Sequence, residues 1–198
     1  MPIIQLMPEV ANQIAAGEVV EDPASVVKQL VENSIDAQAH AITITLEEGG
    51  KSLIRVEDNG QGISRDDLPK TVLLHATSKI QTWDDLQRVQ SMGFRGEALA
   101  SISSVSRLRI VSKQQDAPAW QLRCEGPNSE QIQIEACSEH RTCGTIVSVW
   151  DLFFRVPARQ KFLRSDQAEF RRVREILKRL AIAHPEVSFR LIHGKKTI

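Results

Sequence analysis

Apolar side chains recur along this chain in two rhythms. The helical rhythm, near 3.6 residues, opens at Pro23, a residue that suits the first turn because its missing N–H would be unsatisfied there anyway. It predicts a helix over 23–36 with Val27, Leu30, Val31 and Ser34 as its core stripe. Gln29, Asn33 and Asp36 stand at i, i+4 and i+7, so they share a second, polar face, which reads either as a solvated face or as one wall of a cleft. Lys28 and Glu32 read as a surface ion pair. The same rhythm returns over 166–183, with Phe170, Val173, Leu177 and Leu180 inward and Arg171, Arg172, Lys178 and Arg179 toward solvent.

Between and after these helices the rhythm is two. Segments 41–46, 52–56, 107–112, 120–124, 131–135, 145–150 and 187–192 alternate as half-buried strands, with Gly49-Gly50 as the turn between the first two. Strands in direct succession predict a mostly antiparallel sheet, and helices set apart from them predict cover on one face. The fold class is therefore α/β, a two-layer sandwich.

Two stretches follow neither rhythm. Over 64–92, Ser64 can cap a short helix at 65–68, residues 75–79 are polar and 82–89 read as another short helix. The connection ends in Gly93-Phe94-Arg95-Gly96, just before a helix that starts with Glu97-Ala98-Leu99. Glycines there expose free N–H groups to an anion, or simply turn the chain. Residues 1–22 hold a short helix ending at Gly17, with apolar Ile3, Ile4, Leu6 and Val10 that need the core or a second subunit to cover them.

The stretch with most chemical content is Asp58-Asn59-Gly60-Gln61-Gly62, at the end of the second strand. A carboxylate followed by two glycines offers a ligand one polar anchor and close backbone approach, although Asn-Gly is also a favoured hairpin turn.

Composition narrows the classes. The chain of 198 residues suits one well-filled domain; 41% hydrophobic and 25% charged residues are ordinary globular proportions. No stretch of 18 apolar residues predicts a membrane span, and the first residues lack a secretory signal. Three cysteines, an odd number, fit a reducing cytoplasm. Cys137, His140 and Cys143 have metal-like spacing without an evident fourth ligand and read as an incidental loop. Net charge is zero, but residues 155–180 hold nine Lys/Arg against three Asp/Glu, a stretch able to meet DNA weakly.

The helix at 23–36, the Asp58 turn and the Gly93–Leu99 stretch, in this order and spacing, resemble the nucleotide-binding signature shared by DNA gyrase B subunits, large heat-shock chaperones, sensor histidine kinases and MutL proteins. Residues 13–20, 23–28, 75–79 and 93–106 resemble most closely the MutL mismatch-repair ATPases, and the resemblance covers essentially the whole chain. It implies that superfamily's helix-covered antiparallel sandwich, an arm at 1–20 for ATP-dependent homodimerisation, an ATP-binding domain at 21–198 and a lid at 74–99. It implies ATP and Mg²⁺ as cofactors, with Asn33 holding the metal. It assigns nucleotide contacts to Asn33, Asp36, Asp58, Gly60, Gly62, Ile63, Thr77, Ser78, Lys79, Gly93, Phe94, Arg95, Gly96, Glu97, Ala98, Leu99 and Thr145, with Asp58 accepting from the adenine amino group. Its implied partners are mismatch-recognition and downstream repair proteins, in a cytoplasm where the protein joins the nucleoid during repair.

Departures from the family pattern matter. The family's general base is a Glu four residues before the Asn; here it is Gln29, an amide that cannot take a proton. Glu32 is the nearest substitute, about 100° round the helix from Asn33. Arg155-Val156 replace the first two residues of the family's Asn-Thr-Pro-Ala-Arg. The family's second subdomain, whose lysine reaches the γ-phosphate, lies outside this chain. An ATPase is thus expected, against an ATP-sensing interaction module with little turnover, or a chiefly DNA-binding domain.

Overall fold

The computed structural model describes residues 17, 19–74, 76, 96–125, 132–139, 142–194 and 196–197. The expectations for Thr77, Ser78, Lys79, Gly93, Phe94, Arg95, His140, the helix at 82–89 and nearly all of the arm at 1–20 lie outside these residues.

Helix α1 spans Pro23–Asp36 and starts on a reciprocal cap: Asp22 Oδ1 accepts the Ser25 N–H at 2.8 Å while Ser25 Oγ accepts the Asp22 N–H at 3.1 Å. The predicted stripe, Val27, Leu30, Val31 and Ser34, is buried, and Val26 is buried beside it. Next along the chain come strands β1 (Ala41–Glu47) and β2 (Leu53–Asp58), helix α2 (Ala98–Val105), strands β3 (Arg107–Lys113), β4 (Trp120–Glu125), β5 (Gln133–Ala136) and β6 (Gly144–Trp150), helices α3 (Pro157–Phe162) and α4 (Asp166–Ala183), and strands β7 (Ser188–His193) and β8 (Lys196–Thr197).

The eight strands form one sheet in the order β5-β4-β3-β6-β2-β1-β7-β8. Every neighbouring pair is antiparallel except β1 with β7, whose parallel register runs from Ala41 opposite Ser188 to Leu46 opposite His193. One face carries Ile42, Ile44, Leu46, Ile54, Val56, Leu108, Ile110, Val147 and Val149, all buried in the core with residues of α1, α2 and α4. The other face is mainly polar, with Thr43, Thr45, Arg55, Glu57, Arg107, Arg109 and Arg123, and carries the buried pair Val111 and Ile146.

The structure differs from the expectations at four places. Ser64 Oγ does accept the Asp67 N–H, at 3.2 Å, yet the chain beyond it forms a turn and a 3-10 segment, Leu68–Val72, with Pro69 in its first turn. Helix α3 has no apolar stripe to announce it; none of its residues is buried. Gly17 and Val19 are both helical, so the helix expected to end at Gly17 runs beyond it. Phe153 is fully buried at φ +66°, a conformation that costs a bulky residue energy; its N–H donates to the Val105 carbonyl at 2.8 Å. Arg159 lies 5.9 Å from the Phe153 ring and donates to the Val20 carbonyl at 3.4 Å. Among the described residues no helix is long and apolar enough to cross a membrane.

Candidate functional site

Strand register places Asp58, Thr145 and Ser112 side by side on β2, β6 and β3. Their row lies on the helix-covered face, where the alternation would otherwise put apolar side chains, and all three are buried. Asp58 Oδ1 accepts the Gly60 N–H at 2.9 Å and the Thr145 N–H at 3.3 Å; Oδ2 accepts from Ser34 Oγ at 2.9 Å. A carboxylate with hydrogen bonds on both oxygens has its plane fixed, so its remaining acceptor capacity points in a set direction.

The turn after Asp58 is tied down on three sides. Asn59 Oδ1 accepts the His40 and Ala41 N–H groups, each at 2.9 Å. The Gln61 N–H donates to the Ala37 carbonyl at 3.0 Å, and the Cys143 thiol donates to the Gly60 carbonyl at 3.1 Å. Gly60 lies against the end of α1: a Cβ there would come 2.7 Å from the Ala37 carbonyl oxygen. Gly62, at φ +72°, turns against the Lys113 carbonyl in the same way. Both glycines are thus required by the chain's own close packing, whatever else they admit.

These ties bring the end of α1 to the Asp58 turn. Gln29, Asn33 and Asp36 are partly exposed on α1, whereas Ser34, between them in sequence, is buried against Asp58. The Glu32 carboxylate lies 3.7 Å from Lys28 Nζ. Ile63 packs against the core and donates its N–H to Ser112 Oγ at 2.8 Å. Gly96, at φ +63°, rests against the Ala76 backbone. Glu97, Ala98 and Leu99 come next, partly exposed, at the amino end of α2.

Among the described residues no group of three or more His, Cys, Asp or Glu could hold a metal. Asn33 offers an amide oxygen on α1, a ligand type that suits an ion carried in by phosphates and completed by water better than one caged by protein. Cys137 accepts from Arg109 at 3.8 Å and the Cys143 thiol donates to the Gly60 carbonyl, while His140 lies outside the described residues.

Sequence reasoning missed Ser34 and Ser112. Their signal was present: each is a polar residue at a position where its element's rhythm calls for an apolar one, Ser34 in the α1 stripe and Ser112 two residues beyond Ile110.

Residues 21–143 match the family described as histidine kinase-, DNA gyrase B-, and HSP90-like ATPase. The chain is 54% identical over its full length to the DNA mismatch repair protein MutL of Pseudomonas paraeruginosa and 51% identical to that of Actinobacillus pleuropneumoniae. It spans about a third of those relatives, 31% and 32% of their lengths. Its fold superposes on the Aquifex aeolicus MutL ATPase domain complexed with ADP at a TM-score of 0.72, with 35% identity, covering 90% of this chain and 62% of that one. A second solved structure, the N-terminal domain of a DNA repair protein, gives a TM-score of 0.77 at 30% identity, covering 95% and 54%.

Proposed function

The chain belongs to the histidine kinase-, DNA gyrase B-, and HSP90-like ATPase family, in its MutL branch, and we propose from that premise that it binds Mg-ATP at the Asp58 row and hydrolyses it slowly. The observation that supports this best is Asp58 itself: a buried carboxylate held by two backbone N–H groups and the Ser34 hydroxyl, set where β2, β6 and α1 meet. Such an acceptor suits the exocyclic amine of adenine, with Thr145 beside the same base. Asn33 would hold Mg²⁺ through its amide oxygen; the ion, when bound, would offset charge on the phosphates. Thr77, Ser78, Lys79, Gly93, Phe94 and Arg95 would join Gly96, Glu97, Ala98 and Leu99 at the phosphates, closing the segment 74–99 as a lid. Asp36, Gly60, Gly62 and Ile63 would line the remaining edge.

Lid closure would pack residues 1–20 across a second subunit, making ATP a dimerisation switch that signals to mismatch-recognition and downstream repair proteins in the cytoplasm. The chain should accordingly sediment mainly as a monomer without nucleotide. DNA binding by 155–180 would be weak and would fall steeply with salt. Family membership favours an ATPase over a module that only senses ATP. The test is Mg-ATP binding by calorimetry together with single-turnover phosphate release. Binding should be evident and release very slow. Gln29→Glu should speed release toward the roughly 10²–10⁴-fold that a positioned base contributes. If the unaltered chain already hydrolyses as fast as Gln29→Glu, the role given to position 29 is wrong, and Glu32→Ala then shows whether Glu32 does the work.

A further inference from the structure

We propose that Ser112 governs the choice of adenine over guanine in this site by fixing the direction of the Thr145 hydroxyl proton, an inference that rests on the nucleotide reading of the Asp58 row. Ser112 is fully buried, and its Oγ has three polar neighbours: the Ile63 N–H at 2.8 Å, the Gly144 carbonyl at 3.1 Å and Thr145 Oγ1 at 2.8 Å. An amide N–H can only donate and a carbonyl can only accept, whereas a hydroxyl has one proton and two lone pairs. One arrangement satisfies all three contacts. Ser112 accepts from Ile63, gives its own proton to Gly144, and uses its second lone pair to accept the proton of Thr145.

Thr145 is thereby committed. Its proton points at Ser112, so it has only lone pairs to turn toward a ligand. Its neighbour in the register, Asp58, is an acceptor while ionised. This end of the site consequently presents acceptors to whatever base lies on it. The 6-amino group of adenine supplies donors and is matched. The 6-oxo group of guanine supplies another acceptor and is opposed. Asp58 alone would give part of this preference; the Ser112 relay adds the rest by denying guanine the Thr145 proton.

Ser112 also holds the turn. Its contact with the Ile63 N–H anchors the residue after Gly62, whose own backbone lies against Lys113, next to Ser112 on β3. Removing the hydroxyl leaves that part-buried N–H without this partner and frees the Thr145 proton to rotate outward. The first effect weakens every nucleotide; the second weakens adenine and relieves guanine. Selectivity, rather than affinity alone, is therefore the quantity that reports the relay. Ser112 is a positioning residue, acting on the base through Thr145.

The experiment is calorimetric titration of ADP and of GDP into the 198-residue chain and its variants, with melting temperature followed throughout. The unaltered chain should prefer ADP. Ser112→Ala should shrink that preference by about tenfold, within the range expected when a buried hydrogen bond is lost. Thr145→Val, nearly isosteric, should shrink it by a similar factor, and the double variant should go no further, because both changes remove one shared element. Ser112→Thr, which keeps the hydroxyl, should restore the preference. If Ser112→Ala weakens ADP and GDP equally and leaves the ratio unchanged, Ser112 is a strut and the proposal falls. If the two single effects add in the double variant, the relay is likewise refuted. Should Ser112→Ala fail to fold, Thr145→Val alone decides: an unchanged ratio overturns the relay. A chain that binds neither nucleotide overturns the site reading itself, a result distinct from binding without the predicted change in ratio.

Discussion

The same three strands carry a polar network on each face, and the two are built from different materials. On the helix-covered face, Asp58, Thr145 and Ser112 are held by backbone N–H groups and short hydroxyl side chains. Three residues along, on the open face, Arg55, Ser148 and Arg109 stand in register on the same strands. There Glu139 bridges two guanidinium groups, 3.1 Å from Arg55 and 2.6 Å from Arg109, and Arg109 donates onward to Gln121 at 2.7 Å. The inner carboxylate is placed by donors the backbone itself positions. The outer one is placed by long side chains that are 19–30% exposed. Preorganisation of the first kind survives water and salt and suits recognition; ion pairing of the second kind is screened and contributes little to stability.

The strongest way to break this contrast is Asp58→Asn. An amide can present a donor where the adenine amine needs an acceptor, and a mismatched buried pair costs about 1–3 kcal/mol, or roughly 5- to 150-fold in nucleotide affinity. Circular dichroism should show the fold intact. Unchanged affinity by calorimetry would remove adenine from the Asp58 row. Comparable in size is Gly62→Ala, which asks whether the inner network depends on backbone packing. Its Cβ would run into the Lys113 carbonyl at a positive φ, so urea denaturation should show a loss of about 3 kcal/mol. Gly194 has a similar φ, +59°, and nothing within 4 Å of the added Cβ, so Gly194→Ala should cost only about 1 kcal/mol. Equal costs would mean that conformation alone, and not the approach to β3, makes Gly62 necessary.

The contrast also explains what could be read from the chain before its structure. Helices α1 and α4 run over the predicted 23–36 and 166–183, because long amphipathic stripes are determined locally. The strands came out within about two residues for the same reason. The order of the strands did not: β6 inserts between β3 and β2, and β7 joins β1 in parallel, pairings between segments about 90 and 150 residues apart that no local rhythm encodes. Within the site, Asp58 and Gly62 were legible because a charge and glycines at a strand end stand out. Ser34 and Ser112 were passed over because a serine interrupting an apolar rhythm looks like tolerance until register brings it beside a carboxylate. Phe153 at positive φ was illegible, since nothing in Leu152-Phe153-Phe154 marks it, and its contact to Val105 exists only in three dimensions.

The smallest expected effect comes from Glu139→Gln on the open face. Burial alone would raise the Glu139 pKa, but hydrogen bonds from Arg55 and Arg109, with their positive charges, outweigh it and hold the carboxyl below its ordinary value. A lowered folded-state pKa means that the charge contributes stability above the unfolded-state value, about 4.3, and that the contribution is lost as pH falls through the folded-state value. Glu139→Gln should therefore cost about 0.2–1 kcal/mol at neutral pH, since Glu139 is about one-third exposed. The gap between the two proteins should close below about pH 4.3, and most of it should vanish in 1 M salt, where the Debye length is about 3 Å. Chemical denaturation by urea, which leaves ionic strength alone, reads all three conditions. A gap that holds its size in 1 M salt would show that the open-face bridge is as shielded from solvent as the Asp58 row. The two faces would then differ in which groups they use and not in how strongly water competes for them.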